Sequence, residues 1–485
     1  MPKTAYRPDP KIAALAAREG EASPFFDPVK PARFPDAILR YRNNRWAHAV
    51  GLGALGDAAW IDHFARFKPL ENNLREPLAL RYHGHQFRAY NPDIGDGRGF
   101  LFAQLRDGQD RLLDLGTKGS GLTPYSRTAD GRLTLKGGVR EVLATEMLEA
   151  LGVYTSKTFS IIETGEALIR QDEPSPTRSC VLVRLGHGHI RFGAFQRLAY
   201  EGDSASISRL ADYCIEVFDP DLAGLDEAIR TEQWFARVVA RTARLAGQWM
   251  AAGFVHGVLN TDNMNVAGES FDYGPWRFLP YTDFSFTAAY FDQTGLYAFG
   301  RQPDAALWNL SRFGGTLVSL VAEDRLNAVL QTFPALFERT MIEAFFRRLG
   351  IAPSGEKDFE FIVALLQWME NTGIAFERLF FDWFCGKASV LRAGASPNAK
   401  LYEGSDFATL RERLHSFDPV RPERLAHPYF AGEPTTMLID EVEAIWSPIA
   451  QSDDWSAFDA RLASIDMMRT ALGFDASAWR PSPNF

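Results

Sequence analysis

His256-Gly257-Val258-Leu259-Asn260-Thr261-Asp262-Asn263 is followed, nine residues after Asn263, by Asp272-Tyr273-Gly274. The first stretch is entered from residues 232–252, whose Trp234, Phe235, Val238, Val239, Ala243 and Trp249 recur at helical spacing. Gly253-Phe254-Val255 then leads out of that helix. The spacing therefore predicts a loop rich in polar side chains, delivered by an amphipathic helix.

A protein kinase carries H-R-D-x-x-x-x-N and then D-F-G, in which the Asn and the second Asp hold magnesium on ATP. The His-to-Asn spacing is kept here, and a D-x-G triplet follows. The kinase catalytic Asp is replaced by Val258, which cannot take a proton, while an acid stands at Asp262 beside Asn263. The pattern reads as a kinase-like metal site whose base has moved or been lost.

Upstream, Gly95-Asp96-Gly97-Arg98-Gly99 precedes two apolar runs, 100–105 and 111–115, separated by Asp107-Gly108. This predicts a glycine loop feeding a β-hairpin that ends near Lys118. Backbone N–H groups of such a loop can approach a polyphosphate, and a lysine at the strand end can meet its charge. Plain turns are the alternative for the glycines. Residues 139–151 then form an amphipathic helix closed by Gly152, with Glu141 either a solvated helix acid or, as the order of elements favours, a partner of Lys118 as a kinase helix glutamate is of the strand lysine. Strands are predicted at 158–164, 167–171 and 179–185. Arg184 and Arg191 flank Gly186-His187-Gly188-His189, and their forked donors suit phosphate oxygens or surface carboxylates. His83 and His85 are two apart, as strand metal ligands can be, but no Cys or acid accompanies them, which favours packing or a turn.

At 485 residues and 46% hydrophobic, the chain can bury a large core. A formal charge of −9 argues against broad nucleic-acid or anionic-membrane binding. Cys180, Cys214 and Cys385 have no metal-ligand spacing, and residues 1–26 lack a signal-peptide core. No run approaches the ~18 apolar residues of a membrane span. A cytoplasmic protein with reduced thiols is expected. Residues 1–75 read as an extension over the body. Helices are predicted at 207–218, 359–371, 376–385, 436–449 and 455–472, with 386–435 as a loose connection.

The chain resembles selenoprotein O, the pseudokinase-like family of protein adenylyltransferases. The resemblance is carried by Gly84-His85-Gln86-Phe87, Gly95-Asp96-Gly97-Arg98, Lys118-Gly119-Ser120-Gly121-Leu122-Thr123-Pro124-Tyr125-Ser126-Arg127 and Asp130-Gly131-Arg132. Arg140-Glu141, His256 to Met264, Asp272-Tyr273-Gly274-Pro275 and Trp308-Asn309-Leu310 complete it. It implies an α+β, two-lobed kinase-like fold: extension 1–75, N-lobe 76–200, C-lobe 201–340 and a helical continuation 341–485. It also implies ATP bound in reversed orientation and AMP transferred to Ser, Thr or Tyr hydroxyls of proteins. By motif, Gly95, Gly97, Arg98, Lys118, Asp130, Gly131, Arg184, Arg191 and Asp272 would contact nucleotide, with Glu141 pairing Lys118. Asn263 and Asp272 would hold magnesium or manganese, and Asp262 would accept the proton.

The sequence departs from that family in three places. Lys136-Gly137-Gly138 stands where Arg-Ser-Ser is usual, and Arg88 where Gly is common. The C-terminal Asn-Pro and Arg-Asn signatures are not recognisable, and Cys385 is the last cysteine, so a terminal redox switch is not carried over. A kinase or small-molecule phosphotransferase stands as the other enzyme reading, and Val258 suggests a nucleotide-binding scaffold without turnover.

Overall fold

The computed structural model describes residues 4–16, 22–171, 173–355 and 357–474. It is a mixed α+β structure with an antiparallel sheet in its first half and a helical C-terminal part. The strands, in chain order, are β1 (Phe26–Pro28), β2 (Ile38–Arg42), β3 (Leu78–Leu80), β4 (Gly84–Gln86), β5 (Ala89–Asn91), β6 (Leu101–Arg106) and β7 (Leu112–Lys118). They continue with β8 (Leu133–Thr134), β9 (Lys157–Leu168), β10 (Thr177–Gly186), β11 (Phe254–Val255) and β12 (Arg277–Phe278). The main sheet runs β1-β3-β6-β7-β10-β9-β2, with β8 beside β10. β4 and β5 form a separate hairpin, and β11 pairs with β12.

β9 and β10 are buried almost throughout because both faces of the sheet are covered. Val181, Val183 and Leu185 join the cluster of Trp46, Trp60, Phe64 and Phe102. Cys180 and Leu182 alternate to the other face, against Val139, Val142 and Leu143 of the helix Leu135–Ala150. That helix starts four residues earlier than its apolar pattern predicts, because Thr134 caps it by accepting from Gly137 N at 3.1 Å. Gly138 lies so close to β10 that a Cβ there would stand 2.7 Å from Cys180 Sγ. The glycine departure at 137–138 thus lets helix and sheet approach.

The 1–75 stretch is more than a wrapping. β1 pairs with β3 and β2 with β9, so it supplies both ends of the main sheet. In the helical part, Glu227–Ala251 lies along Phe333–Leu349, where Thr340 Oγ1 donates to Ala243 O at 3.0 Å. The segment expected to be a loose connection holds short helices at Val390–Ala395, Ala399–Glu403 and Ala408–Ser416. The last two helices, Ile439–Ser452 and Ser456–Leu472, return to Leu135–Ala150. No helix among the described residues is long and apolar enough to cross a membrane.

Candidate active site

Between the sheet and the helical part lies a cavity of about 470 Å³. Its lining includes Gly95, Gly97, Arg98, Lys118, Arg184, Arg191, Asn263 and Asp272 from the sequence-derived set, together with Asp96, Tyr125, Arg127 and Val258. Five cationic side chains face two carboxylates there, a balance that suits a polyanion. Gly95 is set by close approach: a Cβ would meet the Tyr125 ring at 2.5 Å. The loop is tied to the end of β7, since Arg98 O accepts from Gly119 N at 2.7 Å.

Lys118, the last residue of β7, reaches Glu141 on the neighbouring helix at 2.7 Å. Glu141 is 2% exposed, and its second oxygen is buried without a hydrogen-bond partner. Lys118 also stands 3.8 Å from Asp272. Asp272 accepts from Arg184 on one oxygen and from Arg191 on the other. Burial works to raise the Asp272 carboxyl, but Arg184, Arg191 and Lys118 overcome it and hold it well below the usual range. Its φ of 58° is left-handed, an uncommon backbone for Asp that places strain at the site.

The 256–263 loop is held from several sides. His256 Nε2 donates to Phe271 O at 2.9 Å, Asn309 Nδ2 to Leu259 O at 2.8 Å, and Arg191 to Asp262 O at 2.6 Å. Burial pushes the Asp262 carboxyl up to about 6, with Arg191 opposing, and Oδ1 has no hydrogen-bond partner. Asn263 Nδ2 donates to Val258 O at 2.9 Å, which commits the amide nitrogen and leaves its oxygen to offer a lone pair to a cation. That oxygen and the Asp272 carboxylate are hard donors of the kind magnesium takes, and both residues line the cavity.

A family model described as "Protein adenylyltransferase SelO" matches residues 13–466. The chain belongs to that family. A SelO-family relative from Synechocystis sp., "Protein nucleotidyltransferase YdiU", is 43% identical over 465 residues, covering 91% of this chain and 95% of the relative. Proteins of the same description from Gloeobacter violaceus (42%; 90% and 91% covered) and Vibrio cholerae (34%; 84% and 86% covered) are also similar. Membership assigns nucleotidyl transfer as the general activity. The SelO match extends well past residue 341, into the region where the sequence shows no family signature.

Four sequence-derived residues do not line this SelO-family cavity: Glu141 sits behind Lys118 and Asp262 beside Asn263, while Asp130 and Gly131 stand apart. Asp130 accepts from Arg170 at 2.8 and 3.1 Å, and Gly131 makes a tight turn at φ 70°, while Arg127 and Ala129 of the same loop do line the cavity. Among the described residues no cluster of three His, Cys, Asp or Glu could hold a metal. His83 Nδ1 instead meets Tyr90 OH at 2.8 Å, and His85 Nδ1 accepts from Gln196 at 3.0 Å. Sequence reasoning missed Asp96, which sits 3.6 Å from Arg191, and Tyr125, which packs on the glycine loop. Asp96 lies inside the quoted glycine stretch, so its signal was present; Tyr125 gave none beyond its motif.

Proposed function

We propose that this chain transfers AMP from ATP to Ser, Thr or Tyr hydroxyls of proteins and releases pyrophosphate. The observation that carries the reading is Asp262, a buried carboxylate with one unpartnered oxygen beside a cationic cavity whose lining has Val258 in place of a kinase acid. Lys118, steadied by Glu141, together with Arg184 and Arg191, would bind phosphate oxygens and stabilise charge that builds during in-line attack. A magnesium or manganese ion on Asn263 and Asp272 would offset phosphate charge when bound. Asp262 would take the proton of the attacking hydroxyl.

The reading carries with it a kinase-like arrangement, with 76–200 as the nucleotide lobe, 201–340 as the catalytic lobe and 341–485 continuing it. It also carries a cytoplasmic setting, with ATP and hydroxyl-bearing proteins as partners. Incubation with ATP labelled at the α or the γ phosphate tests it. Protein label from the α position only is expected. Label from γ only would make the chain a kinase, and nucleotide binding without turnover would make it a scaffold.

A further inference from the structure

Gly84-His85-Gln86-Phe87 does not line the nucleotide cavity, yet each of its residues touches the loop that carries Asp262. A Cβ on Gly84 would stand 2.9 Å from Asp262 Oδ1. His85 N donates to Thr261 Oγ1 at 2.7 Å, Thr261 donates to Gln196 Oε1 at 2.7 Å, and Gln196 returns to His85 Nδ1 at 3.0 Å. Phe87 N donates to Asn260 Oδ1 at 3.0 Å, an oxygen that also accepts from Tyr297 OH at 2.8 Å. Between them, Gln86 Nε2 donates to Asp262 Oδ2 at 3.4 Å.

The hairpin fixes Gln86 from its own second strand. Asn91 Nδ2 donates to Gln86 Oε1 at 2.9 Å, so the amide oxygen is committed there and the NH₂ group is left for Asp262. The two turn residues, Phe87 and Arg88, have φ of 49° and 67°. Both sit in the left-handed region that a two-residue turn of the I′ kind requires and that Gly or Asn usually fills. This register puts Gln86 opposite Ala89. A slip by one residue would turn Gln86 to the other face.

We propose that Gln86 is a positioning residue for proton transfer: it anchors Asp262 through Oδ2 and so presents Oδ1, buried and unpartnered, to the acceptor hydroxyl. The proposal rests on the adenylyl-transfer reading above. As the hydroxyl oxygen bonds to the α-phosphorus, its proton passes to Oδ1. The bond from that phosphorus to the bridging oxygen breaks, and its electron pair leaves with pyrophosphate. Gly84 packs its backbone close to Oδ1, with no side chain between them.

The test uses the full chain and compares Gln86→Leu, Asn91→Leu, the two together, and Gln86→Leu in an Asp262→Asn background. Gln86→Leu is expected to lower kcat for AMP–protein formation about tenfold, with KM for ATP and the thermal midpoint nearly unchanged, since an interaction that acts in the transition state moves kcat alone. Asn91→Leu should lower kcat less, and the pair together no more than Gln86→Leu alone. In the Asp262→Asn background Gln86→Leu should cost nothing further. An unchanged kcat, a fall in kcat matched by a rise in KM for ATP, or a full additional loss in that background would overturn the proposal. Should the unsubstituted chain label protein from γ only, the adenylyl reading fails, while the same split still decides Gln86 on phosphoryl transfer.

Discussion

Asp272 is the residue on which cavity and chemistry meet. Three cations surround it, and its backbone is held left-handed. Asp272→Ala is expected to lower metal-dependent turnover at least 100-fold, the scale of losing a preorganised charge partner. Near-normal turnover in a steady-state assay would show that the metal assignment is wrong. Asp262→Ala should cost less, because loose phosphoryl-type transition states ask little of a base. The Lys118–Glu141 pair was legible in the sequence because strand, turn and helix follow each other in order, so short-range signals place both ends. The grip of Arg184 and Arg191 on Asp272 was not. Spacing marked those arginines as phosphate ligands and could not show which carboxylate they meet across 81 and 88 residues of chain.

At the scale of elements, the helix Leu135–Ala150 shows where pattern reading stops. An apolar face was evident, and a solvated opposite face was the natural expectation. The helix is instead buried nearly all round, with Glu141, Glu146 and Glu149 each under 9% exposed. Each acid has found a distant partner. Arg45 pairs with Glu146 and Glu149, and Arg469 reaches Glu146 from the last helix, 323 residues away. Nothing local encodes the contacts of Glu146 and Glu149, in contrast to the Lys118–Glu141 pair. Arg469→Ala should destabilise the fold by about 2 kcal/mol, less than the ~3–5 typical of a broken buried pair because Glu146 keeps Arg45 and Asn43. A fall in the denaturant midpoint at unchanged slope would be the signature. The edge strands β1 and β2 were hidden for another reason: three and five residues among prolines carry too little periodicity to be read.

For the whole molecule, acid is the lever that the buried groups predict. His187 is held near Glu269 at 2.9 Å, but burial outweighs that partner and lowers its pKa to about 4. The unfolded chain would take up this proton near 6.5, so the folded state binds fewer protons between about 6.5 and 4. Stability is therefore full above 6.5 and falls as pH drops towards 4, by up to about 3 kcal/mol from this group. Denaturation at stepped pH checks it, and His187→Asn should flatten the slope over that window. The return of the last two helices to Leu135–Ala150 has a consequence in time. A ribosome makes the cavity-lining residues, 82–275, before the Arg469 counter-charge. While that helix is still within the exit tunnel, Glu146 lacks Arg469, and the helix that carries Glu141 lacks its outer cover. The helix beside the candidate site thus gains its full set of ion pairs only after the site's own residues have been made.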